Sequence, residues 1–365
     1  MSPRLILLGC LLPHLAAWAQ PTVRIRDAGS CQACRIVLDP VVALGTDDGP
    51  GIITSVDAQA IRTRAGEYIV RGMYAPSLTV FGPTGRYRRT VGRSGGAPGE
   101  FRGIGSIASY RGDSLLVLDW GSRRFSVLDS TFAYRRGGPL PFTPGLATVA
   151  FADGTFVHHV HVQSPERVGL PLHRVSADGT WLRSFGSATG VSRPDVPLLM
   201  SRTIAAADAV HLWVAPVSAY EVEFIDGTTG RVVRRLLRSV PWFPDGRRPG
   251  FIASAIDRPP PPLLVALRQD AAGYLWVALA VPDRAWRTQV EADAGGHGFR
   301  VRDEQGYYDT ILEVIEPSTG TLLASTRVGA YIRHFVDDAH VGTVIEDPTT
   351  GVPRLQVWHV RLVRE

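Results

Sequence analysis

The stretch VGRSGGAPGEF, Val91 to Phe101, holds four glycines and a proline in eleven residues, and its reading decides the fold. A phosphate-cradling loop of the Walker type ends in Gly-Lys-Ser/Thr, because the lysine ammonium neutralises phosphates that the backbone amides hold. This chain contains no lysine. A dinucleotide fingerprint needs the spacing G-x-G-x-x-G between a strand and a helix, and Gly92, Gly95, Gly96 and Gly99 do not fit it. The residues that follow, GIGSIASYRGDSLLVLDW, alternate and turn like β structure, so no helix N-terminus is on offer for an anion. The stretch reads instead as a connector between sheet units.

The units themselves repeat. GEYIVRGMYAPSLTVFGPTGRYRRTVG (66–92) and GDSLLVLDWGSRRFSVLDSTFAYRRGG (112–138) share a turn glycine, an apolar strand, a short break, a second strand, a tight turn, and a last strand carrying Arg-Arg before a glycine. The pattern returns over 154–186, 210–237 and 273–329, each time preceded by a further apolar strand such as IGSIASY, ATVAFA, TIAAA or LLVALRQ. Four antiparallel strands per unit, repeated along a chain, predict the blades of a β-propeller. Final-strand glycines 45, 92, 137 and 186 lie 47, 45 and 49 residues apart. Two further blades with insertions at 239–262 and 283–307 fill the span from Gly186 to Gly329.

Only 36 residues follow Gly329, enough for three strands, while IVLDPVVALG (36–45) forms a lone strand at the other end. Together they make one period. The expected fold is therefore all-β: a six-bladed propeller of four-stranded antiparallel blades over 36–365, its ring closed by the N-terminal strand completing the last blade, which removes two exposed edges. The run G-x-x-G-x-x-x-G-E-F followed by LLVLDWGSRRFSVLD is similar to the NHL-type repeat of six-bladed propellers, and the chain resembles secreted bacterial propeller proteins of uncharacterised function. The resemblance is clearest over 66–138 and speaks for fold rather than activity.

The N-terminus, MSPRLILLGCLLPHLAAWAQ, has one arginine, an apolar run and Ala17-Trp18-Ala19, which predicts a signal peptide over 1–19 and a protein exported to the periplasm or beyond the cell. Leu7-Leu8-Gly9-Cys10 as a lipobox is the alternative. Cleavage removes Cys10 and leaves Cys31 and Cys34 in an N-terminal segment, 20–35. In an oxidising compartment that C-Q-A-C pair predicts a local disulfide, with a redox motif or half a zinc site as alternatives. No later segment is apolar for long enough to span a bilayer. All 39 basic residues are arginines, interspersed with 34 acids for a net charge of +5. So even a balance excludes a nucleic-acid surface, and a monomer is expected.

Strand polarity sorts the loops. Second-to-third strand loops and blade connectors share one face, which receives the long segments 92–103, 161–171, 187–200, 239–262 and 283–307, and binding belongs there. Candidate binding residues are Trp242, Trp286, His297, Tyr307 and Tyr308, with Asp119 and Trp120, a pair resembling a WD dipeptide that occurs once and so is no WD40 signature. A structural cap over the channel competes with this reading. His159 and His161 project to one side of a strand, a spacing at which two imidazoles can share zinc, with His211, His334 and His173 as partners. Lyases occur among NHL-like propellers, but no metal motif of theirs maps here residue by residue. The missing lysine excludes Schiff-base chemistry, and no G-x-S-x-G elbow occurs. The leading function is a scaffold binding a small molecule, peptide or protein without cofactor. The alternative is a metal-assisted lyase or hydrolase at the channel mouth using zinc or calcium.

Overall fold

Six antiparallel sheets follow one another along the chain in a computed structural model that describes residues 21–27, 31, 33–55, 57–186, 201–246, 256–292, 299–347 and 349–364. Blade one runs from Gln59–Arg62 to Tyr87–Val91, blade two from Ile104–Tyr110 to Tyr134–Pro139, and blade three from Ala147–Ala150 to Trp181–Phe185. Blade four spans Arg202–Ala206 to Val232–Leu237, and blade five Leu263–Gln269 to Thr321–Val328. Blade six takes Ile332–Phe335, His340–Glu346 and Pro353–Arg364 from the C-terminus and Cys34–Leu44 from the N-terminus. The fold is the six-bladed all-β propeller that the repeat predicts.

In blades two and five the second strand is apolar over Leu115–Leu118 and Leu275–Val281 because both of its faces are buried between blades. In Ser114–Asp119, Leu115 and Val117 join the core shared with blade one, whereas Leu116 and Leu118 join the core shared with blade three. The period-two alternation of a strand sends successive side chains into opposite interfaces. Leu275–Pro282 repeats the pattern, with Leu275, Val277 and Leu279 packed toward blade four and Trp276 and Ala278 toward blade six. Six such interfaces make up the propeller core.

Ring closure rests on Cys34–Leu44 pairing antiparallel with Pro353–Arg364, in a register that runs from Cys34 opposite Arg364 to Leu44 opposite Leu355. A bulge at Val41 interrupts it beside Pro40, and an outer strand is the place in a sheet that tolerates a proline without N–H. The segment before it contains structure that no sequence pattern announces. Thr22–Arg24 adds a fifth strand, parallel, to the outer edge of blade four, and Arg26 then bridges to Thr321 on blade five. Cys31 and Cys34 are disulfide-bonded where the chain enters blade six. Residues 22–26 and 34–44 thus touch three consecutive blades. Inside the seam between blades four and five, buried Glu313 accepts a hydrogen bond from the Tyr220 hydroxyl and pairs with Arg238, which also holds Asp27 of the N-terminal segment.

No helix among the described residues is long and apolar enough to cross a membrane. The expected signal peptide, with Cys10, and the connector 187–200 lie outside the described residues. Because closure removes both open edges of the ring, a chain beginning at Gly51 is expected to lose the single cooperative melt of the full protein. Circular dichroism decides it, and a wild-type transition in the shortened chain would show that 34–44 does not carry closure.

Candidate functional site

The glycine-rich connector is a closed structure in its own right. Phe101 is fully buried in the core between blades one and two. Gly92 has φ +82 and a Cβ there would lie 2.6 Å from the Phe101 ring, so only glycine fits. Glu100 accepts from Arg93 Nε at 2.8 Å and from the Ala97 amide at 2.9 Å. From blade two, Arg124 donates to the carbonyls of Gly96, Ala97 and Glu100. Asp119 completes the grip: its carboxylate accepts from the backbone amides of Arg102 and Gly103, each at 3.1 Å, and from the amide and hydroxyl of Ser122. The side chain is fully buried, so Asp119 holds the connector against its blade and does not face solvent.

Trp120, the next residue, does face solvent. It is 46% exposed and lies 5.0 Å from the ring of Tyr74, itself 42% exposed, in the neighbouring blade's loop. Tyr74 adopts φ +56, a left-handed conformation uncommon outside glycine and worth a functional explanation. The pair is held from below: Trp120 N donates to Gly103 O at 2.7 Å and Ile104 N to Ala75 O at 2.9 Å. No sequence signal singles out Tyr74, since its partner comes from another repeat.

The remaining aromatic candidates separate into a groove and a small core. Trp286, Tyr307 and Tyr308 are buried with Ala280 and Tyr331 in a cluster that seats the blade-five insertion, whose hairpin pairs Val290–Ala292 with Phe299–Val301. Trp242, 37% exposed, belongs to the other insertion. It faces Trp286 across an open groove of about 630 Å³, with Pro259, Val281, Pro282 and Ile311 as further apolar walls and Asp283, Arg284 and Arg327 as its charges. His297 lies outside the described residues. Sequence reading missed the acids beside this groove. Buried Asp309 accepts from Arg327 Nε at 2.7 Å. Burial raises the Asp309 pKa, Arg327 opposes the rise, and Asp283 adds to it.

The histidines do not converge as a four-ligand site. His159 and His161 do sit together, ring centroids 5.1 Å apart at right angles. His211 is on the other face, because it begins a second strand whereas His159 ends one; its Nδ1 pairs with Asp208 at 2.8 Å and its ring stacks on Phe224. His334 is half-buried between blades six and one, its Nε2 accepting from the Ala60 amide at 3.0 Å. His173 is buried against Phe142 and Trp181, bonded to Ser184 Oγ and Val160 O. Among the described residues no group of three or more His, Cys, Asp or Glu is placed to hold a metal ion.

No family model matches the chain, and no curated protein matches it. Solved structures share its fold. A candidate exported protein from Bacteroides fragilis superposes with a TM-score of 0.60 at 10% identity, covering 94% of this chain and 99% of that one. A member of the DUF4221 family from Bacteroides vulgatus does so with a TM-score of 0.59 at 8% identity, covering 91% and 99%. Virginiamycin B lyase from Staphylococcus aureus is a looser likeness, TM-score 0.47 at 10% identity over 89% and 99%. At these identities the likeness is one of fold.

Two expectations follow. Asp119→Ala strands several buried donors at once and is expected to cost about 3 kcal/mol or more in denaturant unfolding; a loss below ~1 kcal/mol would refute the keystone role. His173 is held neutral down to about 4, chiefly by burial. Between its unfolded value near 6.5 and about 4, the unfolded chain binds a proton that the folded one refuses, so stability falls as pH falls. Its contribution is up to about 1.4 kcal/mol per pH unit. His173→Gln is expected to flatten the stability profile in that window by this amount, and parallel profiles would count against it.

Proposed function

We propose that this protein is an exported binding propeller that holds a small molecule or a short segment of a peptide or protein partner on its connector face, in the groove between Trp242 and Trp286. The groove carries the reading: its volume of about 630 Å³ falls in the range of ligand sites, which are concave, mostly apolar and marked by a few placed polar groups. Trp286 is a rigid wall because the tyrosine cluster packs behind it. Trp242 is the more exposed of the two, and Asp283, Arg284 and Arg327 supply orienting charge. Export is supported by the Cys31–Cys34 disulfide, which persists in oxidising compartments, and by the signal-like N-terminus. The rival reading, a metal-assisted lyase or hydrolase, would need more than the two adjacent imidazoles of His159 and His161, since structural and catalytic zinc sites take three or four protein ligands.

Fluorescence titration with the apolar anionic probe anilinonaphthalene sulfonate tests the groove. The wild-type protein is expected to bind it, Trp242→Ala to bind at least about fivefold more weakly, and Trp242→Phe to retain most of the affinity, all with unchanged melting temperature. Equal binding by wild type and Trp242→Ala would overturn the assignment.

A further inference from the structure

Arg71 ends the second strand of blade one, Tyr68–Arg71, at the connector face, opposite Gln59 at the start of the channel-lining strand Gln59–Arg62. Its side chain is buried, at 1% exposure. A guanidinium presents five N–H donors, yet this one makes a single hydrogen bond, Nη2 to Gln59 Oε1 at 2.7 Å, and Nε and Nη1 are left without partners. Next to it, His334 of blade six reaches across to the same strand and accepts from the Ala60 amide through Nε2. In the neutral ring the proton is then on Nδ1, and that donor is also buried and without a partner. Buried Arg71 and part-buried His334, from neighbouring blades, thus offer unmet donors around one strand end.

A buried cation without a bonded counter-ion costs several kcal/mol, and among the described residues three other buried or part-buried arginines each have one. Arg174 has Asp153 at 2.6 Å, Arg238 has Glu313 and Asp27, and Arg268 has Asp338. The carboxylate near Arg71, that of Asp57, is bonded to another residue, Arg333, at 2.5 Å. We infer that Arg71 and His334 form a binding subsite for a small oxyanion, a carboxylate, sulfate or phosphate, supplied from outside the chain at the connector-face end of the channel wall. Both unmet groups donate, so the ligand accepts. Tyr74, three residues beyond Arg71, and Trp120 beside it provide exposed aromatic surface at the same end of blade one, suited to the body of an organic acid. This subsite is separate from the Trp242 groove and does not depend on it.

Isothermal titration with sodium malonate, sodium sulfate and sodium phosphate, each against chloride at fixed ionic strength, tests the inference and distinguishes the three sources. At least one oxyanion is expected to bind the wild type, Arg71→Gln to weaken it by about tenfold or more, and His334→Gln, whose amide oxygen still serves the Ala60 N–H, by a smaller factor. In chloride alone, Arg71→Gln is expected to melt at or above the wild-type temperature, because the substitution removes a buried guanidinium with unmet donors. Failure of all three anions to bind, equal affinity in Arg71→Gln, or a lower Arg71→Gln melt without oxyanion would overturn the proposal. Should Arg71→Gln not fold, that result also assigns Arg71 to structure and overturns it.

Discussion

Pairing between Cys34–Leu44 and Pro353–Arg364 is the contact on which every other part of this molecule depends. Each blade buries two faces, and a blade at the end of an open row would expose one of them together with an unpaired edge. The closing pair joins the two ends of the described chain, so it is the least local contact available and carries the largest loop-closure cost. The N-terminal segment spreads its hold further, since Thr22–Arg24 and Arg26 fasten blades four and five before the same segment completes blade six. Asp27 reaches the buried Arg238 and Glu313 pair, which links that outer fastening to an interior polar network.

Rigidity of the connector face has a comparable origin at smaller scale. The NHL-like residues act as one device: the glycines let the loop turn tightly, Phe101 plugs the core between two blades, and Arg124 with Asp119 satisfies the loop's carbonyls and amides. A connector bonded both within its own turns and from the next blade gives firm support to the neighbouring loops, which present the exposed rings of Tyr74 and Trp120. Burial, by contrast, removes Tyr307 and Tyr308 from direct display and makes them, behind Trp286, the support of the insertion. Residues of one chemical type on one face therefore do different work according to what lies behind them.

The contrast between the groove and the Arg71 subsite rests on the same physics. Apolar walls lining open space, as between Trp242 and Trp286, gain by excluding water from a ligand of matching shape. Unmet buried donors gain from an acceptor, because a donor removed from water and left unsatisfied costs about as much as a lost hydrogen bond. The two sites thus select by different means, one by area and one by charge.

What the amino-acid sequence determined by itself was the repeating unit. Strand alternation, turn glycines and aspartates, and a period near 46 residues are local properties, because a blade is built from consecutive hairpins; even ring closure was legible, as a surplus strand at one end and a missing one at the other. The parallel strand Thr22–Arg24 was not, since three residues carry no periodicity and an edge addition is chosen by the sheet that receives it. Asp119 next to Trp120 looked like one feature in sequence, yet one side chain is buried and the other exposed because successive residues leaving a strand face opposite ways. His211 and His334 could be proposed as partners of His159 from residue type alone, and strand polarity and burial separated them. Only the tertiary structure decided that Trp242 and Trp286 would share a groove, that Tyr74 would meet Trp120, and that Arg71 and His334 would lie at one strand end with donors unmet, because each of these depends on which blades become neighbours when the ring closes.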